Sequence, residues 1–256
     1  MNIGLGFDAA ILSQRRSTRF LKGLDVLLFP ELVDGGYAAL ALGAAPHRLR
    51  DAFLDSFRNT SRRFPLCCIA GSTCFETGSS LPTNTSLAFS GGRLVHRYDK
   101  IHLFKPTGDH QYFQRGKHAR VFSLGHNTNR INAGVVICYD LRFPELIRIL
   151  ALQGMKLLCV PARWPRSRDE AWWALLKARA IENQIFVVGC NARGEEGGYS
   201  YAFDPMGTLI FSNKGKHDRH FFTFRLELER LQAARRLQNN LKDAVLLKHL
   251  VPSLIL

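Results

Sequence analysis

Apolar runs and amphipathic stretches alternate along most of the chain. Residues 2–7 (NIGLGF), 24–30 (LDVLLFP), 66–74 (LCCIAGSTC), 156–161 (KLLCVP) and 185–190 (IFVVGC) are short and rich in branched or aromatic residues. That pattern predicts buried strands. Residues 85–89 and 93–98 flank Ser90–Gly91–Gly92 and predict a hairpin. Further strands are expected at 199–203, 208–212 and 220–226, the first two joined by a turn at Asp204–Pro205–Met206–Gly207. Between these runs the period changes to that of a helix. Leu49, Phe53 and Phe57 recur at spacing four within 46–63, with Arg48, Arg50, Asp51 and Arg58 on the other side. Helices are also expected over 9–22, 145–153, 168–183 and 227–238, the second of these ending at Gly154. Strands alternating with helices, and no repeat or Pro/Gly/Ser linker, predict one α/β layered domain spanning residues 1–256. Residues 241–256 form an apolar tail interrupted by Lys248, His249 and Pro252. This tail is too broken to span a membrane and is expected to dock on its own domain or on a second subunit.

Composition narrows the class. With 46% hydrophobic and 22% charged residues, the chain reads as an ordinary globular protein. Its net charge of +14, from 35 basic and 21 acidic residues, raises nucleic-acid binding. The basic residues are dispersed, however, and no nucleic-acid-binding signature accompanies them, so no nucleic-acid partner is expected. No basic-then-apolar leader opens the sequence and no run is long enough for a membrane span. Six cysteines, at 67, 68, 74, 138, 159 and 190, form no CxxC pair. They read as reduced thiols in a cytoplasmic protein, without a metal site. Five of them are expected in the core, leaving Cys138 as the candidate for chemistry.

The candidate chemistry lies where apolar runs stop. Gly134–Ile137 is a β-branched run closed by Cys138, after which Pro144 and Glu145 open a helix. A thiol at such a corner is rigidly held, with backbone N–H groups nearby. Glu31 follows the run 24–30, and Lys100 follows the second arm of the hairpin. A carboxylate, an ammonium and a thiol suffice for acyl transfer through a thioester. The carboxylate serves as general base, while the ammonium and the Tyr139 N–H stabilise the oxyanion. A neighbouring cation is also expected to lower the thiol pKa.

These residues stand in FPE, YDKIHLF and CYDLRFPEL, in that order. In this the chain resembles the nitrilase superfamily of carbon–nitrogen hydrolases, over roughly residues 2–226. The segment 164–191 is also similar to the family's stretch after the nucleophile. The resemblance implies a four-layer α-β-β-α sandwich, dimerisation, no cofactor, and a catalytic set of Glu31, Lys100 and Cys138. Within the superfamily the ARAIENQ and WPRSR runs resemble the ω-amidase branch, which hydrolyses the terminal amide of short keto-acid monoamides. Asp109 stands where many members carry a second glutamate. Arg163 stands where many carry asparagine, before Trp164. An arginine facing the cleft would favour an anionic substrate. The same three residues also serve a nitrilase or an N-carbamoyl hydrolase. A basic binding protein with a vestigial site is the reading outside enzymes.

Overall fold

The computed structural model describes residues 1–7, 12, 18–41, 47–76, 78, 81–125, 130–216 and 219–244. The first half of the chain contains β1 (Asn2–Gly6), α1 (Thr18–Leu21), β2 (Val26–Leu28), α2 (Gly36–Ala41), α3 (His47–Arg63), β3 (Cys67–Ile69), β4 (Thr73–Phe75), β5 (Thr83–Ser90), β6 (Arg93–Asp99) and α4 (Asp109–Tyr112). The second half contains β7 (Phe122–Leu124), β8 (Ile131–Val135), α5 (Pro144–Leu152), β9 (Leu157–Ala162), α6 (Asp169–Asn183), β10 (Phe186–Asn191), β11 (Tyr201–Phe203), β12 (Leu209–Ser212), β13 (Phe221–Arg225), α7 (Glu229–Leu237) and α8 (Asn240–Asp243). A 3-10 turn, Cys138–Arg142, joins β8 to α5.

Two sheets result. One runs β13-β1-β2-β3-β5-β4, with β6 paired to β5, and the other runs β12-β11-β10-β9-β8-β7. At the centre of each sheet the strands are parallel: β1, β2 and β3 in the first, β8, β9 and β10 in the second. Such strands are buried on both faces, which is why they read as unbroken apolar runs. Side chains alternate between the faces. Val26 and Leu28 join Ile3, Leu5, Cys67 and Ile69 in the core shared with the second sheet. Leu27, Phe29 and Cys68 point the other way, onto Phe57 of α3. The sheets meet closely enough that the Cys190 sulfur lies 3.6 Å from the Leu28 carbonyl oxygen. Outside the second sheet, α6 packs on β10. A Cβ at Gly189 would stand 2.5 Å from the Trp172 ring, so that approach requires glycine. The order helix, sheet, sheet, helix is the four-layer α-β-β-α sandwich expected from the sequence.

The run 66–74 is two strands rather than one. The break falls at Gly71, whose φ is +64° and where a Cβ would stand 1.9 Å from the Pro30 carbonyl oxygen. The chain turns there because the segment after β2 passes against it: Ser72 N–H donates to the Pro30 carbonyl and Val33 N–H to the Ser72 carbonyl. Of the helix expected over 9–22, the described residues show only Thr18–Leu21; most of the rest lies outside them, as do Pro46 and residues 245–256. The elements β7, α2, α4 and α8 were not anticipated. Among the described residues no helix is long and apolar enough to cross a membrane.

Candidate active site

All the candidate residues but Asp109 leave the end of a strand or the turn just beyond it. Glu31 follows β2, Lys100 follows β6, Cys138 follows β8, Arg163 and Trp164 follow β9, and Asp109 opens α4. Strand ends of an α/β sheet are where such folds collect their chemistry. Two of these turns are held in the left-handed region by residues with a Cβ: Leu32 at φ +46° and Cys138 at φ +47°. Such conformations persist only where the surroundings fix them. Around Cys138 the brace is Asp140. Its Oδ2 accepts from Ile137 N–H at 3.1 Å and Tyr98 OH at 2.7 Å. Its Oδ1 accepts from His102 N–H at 2.8 Å and lies 2.8 Å from His102 Nδ1. Arg179 of α6 donates to the Leu141 carbonyl at 3.0 Å. Around Leu32, Ser72 Oγ accepts the Leu32 N–H at 3.0 Å.

Glu31, Lys100 and Asp109 form a buried charged cluster, each at most 1% exposed. The Lys100 ammonium donates to Glu31 Oε1 at 2.7 Å and to Asp109 Oδ2 at 2.8 Å. Glu31 Oε1 also accepts from Asn84 Nδ2 at 2.9 Å, and Tyr37 OH lies 3.4 Å from it. Glu31 Oε2 accepts the Arg163 backbone N–H at 3.0 Å. Asp109 Oδ1 accepts from Tyr37 OH at 2.5 Å, and Oδ2 also takes the Phe104 N–H at 2.9 Å. Burial alone would lower the Lys100 pKa, but the charges facing it, Glu31 first, outweigh that and hold it well above the usual lysine value.

The Cys138 thiol faces this cluster and lies 3.8 Å from the Arg163 carbonyl oxygen. Burial pushes its pKa well up; the Glu31 carboxylate adds to that and Lys100 opposes it. The cation acts on the thiol in the direction expected from the sequence, but burial outweighs it.

Above the cluster is a cavity of about 300 Å³, lined among others by Tyr37, Lys100, Cys138, Tyr139 and Trp164. Its rim carries the guanidinium of Arg142 over the Trp164 ring at 4.9 Å and that of Arg168 over the Phe104 ring at 5.1 Å. Arg163 lines the cavity too, but its side chain is already engaged. Nε donates to the Glu31 carbonyl at 2.9 Å, Nη2 to the Leu32 carbonyl at 2.8 Å and Nη1 to Glu196 at 3.0 Å. Trp164 is buried, its backbone N–H donating to Asn191 Oδ1 at 2.8 Å and its indole N–H to the Arg168 carbonyl at 2.9 Å. Among the described residues no group of His, Cys, Asp and Glu is placed to hold a metal ion.

The structure thus brings Lys100, Cys138, Tyr139, Arg163 and Trp164 to the lining of one cavity, with Glu31 and Asp109 buried behind it against Lys100. Sequence reasoning missed Tyr37, Asn84 and Asp140, which hold these groups, and Arg142 and Arg168 at the rim. Asn84 had a signal: Thr83–Ser86 are four consecutive polar residues, all buried in β5. Buried polar side chains mostly find partners, as Thr83, Asn84 and Thr85 do here.

The model of a family described as carbon-nitrogen hydrolase matches residues 10–236. A 2-oxoglutaramate amidase of Bacillus subtilis (strain 168) is 33% identical over 194 residues, 74% of this chain and 73% of the relative. An omega-amidase of Escherichia coli (strain K12), YafV, is 34% identical over 201 residues, 76% of this chain and 75% of the relative. Among solved structures, Nit3 of Saccharomyces cerevisiae, a member of branch 10 of the nitrilase superfamily, superposes with a TM-score of 0.77. It covers 93% of both chains at 20% identity, a likeness of fold.

Proposed function

This chain belongs to the carbon–nitrogen hydrolase family, and from that premise we propose that it is a cysteine-dependent amidase of ω-amidase type. Its substrate is a short linear amide whose far end is a carboxylate. In this reading Glu31 takes the Cys138 proton as the sulfur attacks the amide carbon. The carbonyl oxygen becomes an oxyanion. Lys100 has three ammonium N–H groups, two of them committed to Glu31 and Asp109. The third, with the Tyr139 backbone N–H, stabilises that oxyanion. Glu31 returns its proton to the leaving nitrogen, ammonia departs and a thioester remains on Cys138. A water enters, gives a proton to Glu31 and attacks the thioester carbon. The acid leaves and the thiol recovers its proton.

The observation that carries this reading is the division of labour on Glu31. Oε1 faces Lys100, Asn84 and Tyr37, whereas Oε2 takes the Arg163 N–H as its hydrogen bond. One oxygen is thereby fixed, and the other has capacity left for a proton. The anionic end of the substrate falls to Arg142 and Arg168. Their guanidinium groups lie over aromatic rings at the rim, where each can offer its fork of donors to a carboxylate. The printed activities of the two relatives, 2-oxoglutaramate amidase and omega-amidase, agree with such a substrate. The reading includes a cytoplasmic homodimer; free cysteines throughout and the apolar end of the chain support it.

The test uses Cys138→Ala and a panel of short keto-acid amides, neutral amides, nitriles and carbamoyl amino acids, followed by ammonia release. Anionic amides should be turned over, and the variant should lose on the order of 10³-fold or more while its melting transition persists. Mass spectrometry of the wild type should find the acyl mass on Cys138. Turnover by the variant, or an adduct on another residue, would overturn the assignment.

A further inference from the structure

Tyr37 has no part in the steps above, yet its hydroxyl lies between both carboxylates of the cluster. The turn after Glu31 brings it there. Gly35 and Gly36 N–H groups both donate to the Leu32 carbonyl, folding the chain back so that α2 begins beside Glu31. The Tyr37 ring packs on a small apolar cluster of Leu32, Leu103 and Phe113. That cluster joins the segment carrying Glu31 to the segment carrying Lys100 and Asp109. From this seat the hydroxyl donates to Asp109 Oδ1 at 2.5 Å and lies 3.4 Å from Glu31 Oε1.

Resting on the roles given above to Glu31, Lys100 and Cys138, we propose that Tyr37 is a positioning residue. It locks Asp109, and through Asp109 the Lys100 ammonium, in the geometry that serves the thioester chemistry. The short Asp109 side chain cannot hold Lys100 alone. Its Oδ2 is shared between Lys100 and the Phe104 N–H, so the carboxylate needs a donor on Oδ1 to stop it rotating about its own axis. Thr107 OH is the other group in reach, at 3.5 Å, too long to serve. The phenol supplies a proton at every working pH. Burial raises its pKa above the tyrosine range and the facing Glu31, Asp109 and Cys138 raise it further, with Lys100 alone opposing. It is therefore a permanent donor to Asp109 and never a competing anion.

Tyr37→Phe keeps the ring and removes the donor. With the fold verified by circular dichroism and melting, kcat should fall about 10- to 100-fold, with KM nearly unchanged. Removing a donor from a carboxylate raises its proton affinity. The acid limb of kcat/KM should therefore move to higher pH. The limb of Cys138 alkylation by iodoacetamide, which needs no turnover, should move the same way. A merely structural tyrosine would lower kcat and leave both limbs in place, which would overturn the proposal. Asp109→Asn gives a second handle. If Tyr37 acts through Asp109, adding Tyr37→Phe to Asp109→Asn should cost far less than Tyr37→Phe alone. Costs that simply multiply would also overturn it. Failure of the underlying reading is separate, since it would show as turnover by Cys138→Ala whatever Tyr37 does.

Discussion

At the floor of the cavity the charged groups are shut away from water and held from several sides. Glu31, Lys100 and Asp109 are at most 1% exposed, and every carboxylate oxygen among them accepts a hydrogen bond. At the rim, Arg142 and Arg168 are exposed and rest on aromatic rings. The difference follows from dielectric. A buried charge is tolerable only when paired and hydrogen-bonded, and once so fixed it needs no reorganisation when charge develops in the reaction. A rim cation stays hydrated, moves more freely, and acts only on what enters. In the proposed function the floor decides which bond can be broken and the rim decides whose bond it is.

The largest effect should come from breaking the floor without changing its shape. Glu31→Gln keeps the volume and an acceptor oxygen but removes the charge and the base. Turnover is expected to fall on the order of 10³-fold or more, with little change in substrate binding. Stopped single-turnover measurements should find acyl-enzyme formation itself slowed. Normal acylation and ammonia release followed by slow thioester hydrolysis would place the base of the first step elsewhere.

An intermediate effect should come from the rim. Arg142→Ala and Arg168→Ala each should raise KM for an anionic amide about 10- to 100-fold, the loss expected when a charged hydrogen-bonding pair is removed. A neutral amide of the same length should be nearly indifferent. The comparison between floor and rim collapses if both substrates suffer equally, because the arginines would then be serving the chemistry. Trp164 also loses its stacked guanidinium in the first variant, so a melting curve has to accompany the kinetics.

The two regions were unequally legible in the sequence. Glu31 and Cys138 each follow an apolar run that ends a buried strand, whereas Lys100 follows β6, a mostly exposed arm of the hairpin. The turn chemistry after Cys138, with Pro144 and Glu145 opening a helix, was equally local. What was hidden is what comes from far along the chain. Arg163 reads as a cleft arginine, yet its side chain reaches 132 and 131 residues back to the carbonyls of Glu31 and Leu32. No spacing rule predicts such a bond. Tyr37 and Asp140 were invisible for the same reason, since their partners lie 72 and 42 residues away. The run 66–74 was misread as one strand because its apolar pattern continues through Gly71. There the controlling fact is the approach of the Pro30 carbonyl from the segment after β2.

The smallest effect tests the rule behind the comparison, that burial is tolerated only with a partner. His96 of β6 stacks on Phe122 with ring centroids 4.2 Å apart, and its Nε2 is buried without a hydrogen-bond partner. Burial lowers its pKa from 6.5 to about 4. The folded state thus refuses a proton that the unfolded chain accepts once the pH drops below the unfolded value. Stability should be unaffected above about pH 7, fall as the pH passes below 6.5, and level off only below about pH 4. The loss between about pH 7 and about pH 6 should stay under about 1 kcal/mol, since only part of the unfolded imidazole is protonated there. Urea unfolding across that range should show the slope, and His96→Phe, which keeps a stacking ring without a titratable group, should flatten it. A variant with the wild-type slope would show that the unpartnered His96 is not what makes the fold sensitive to acid over that range.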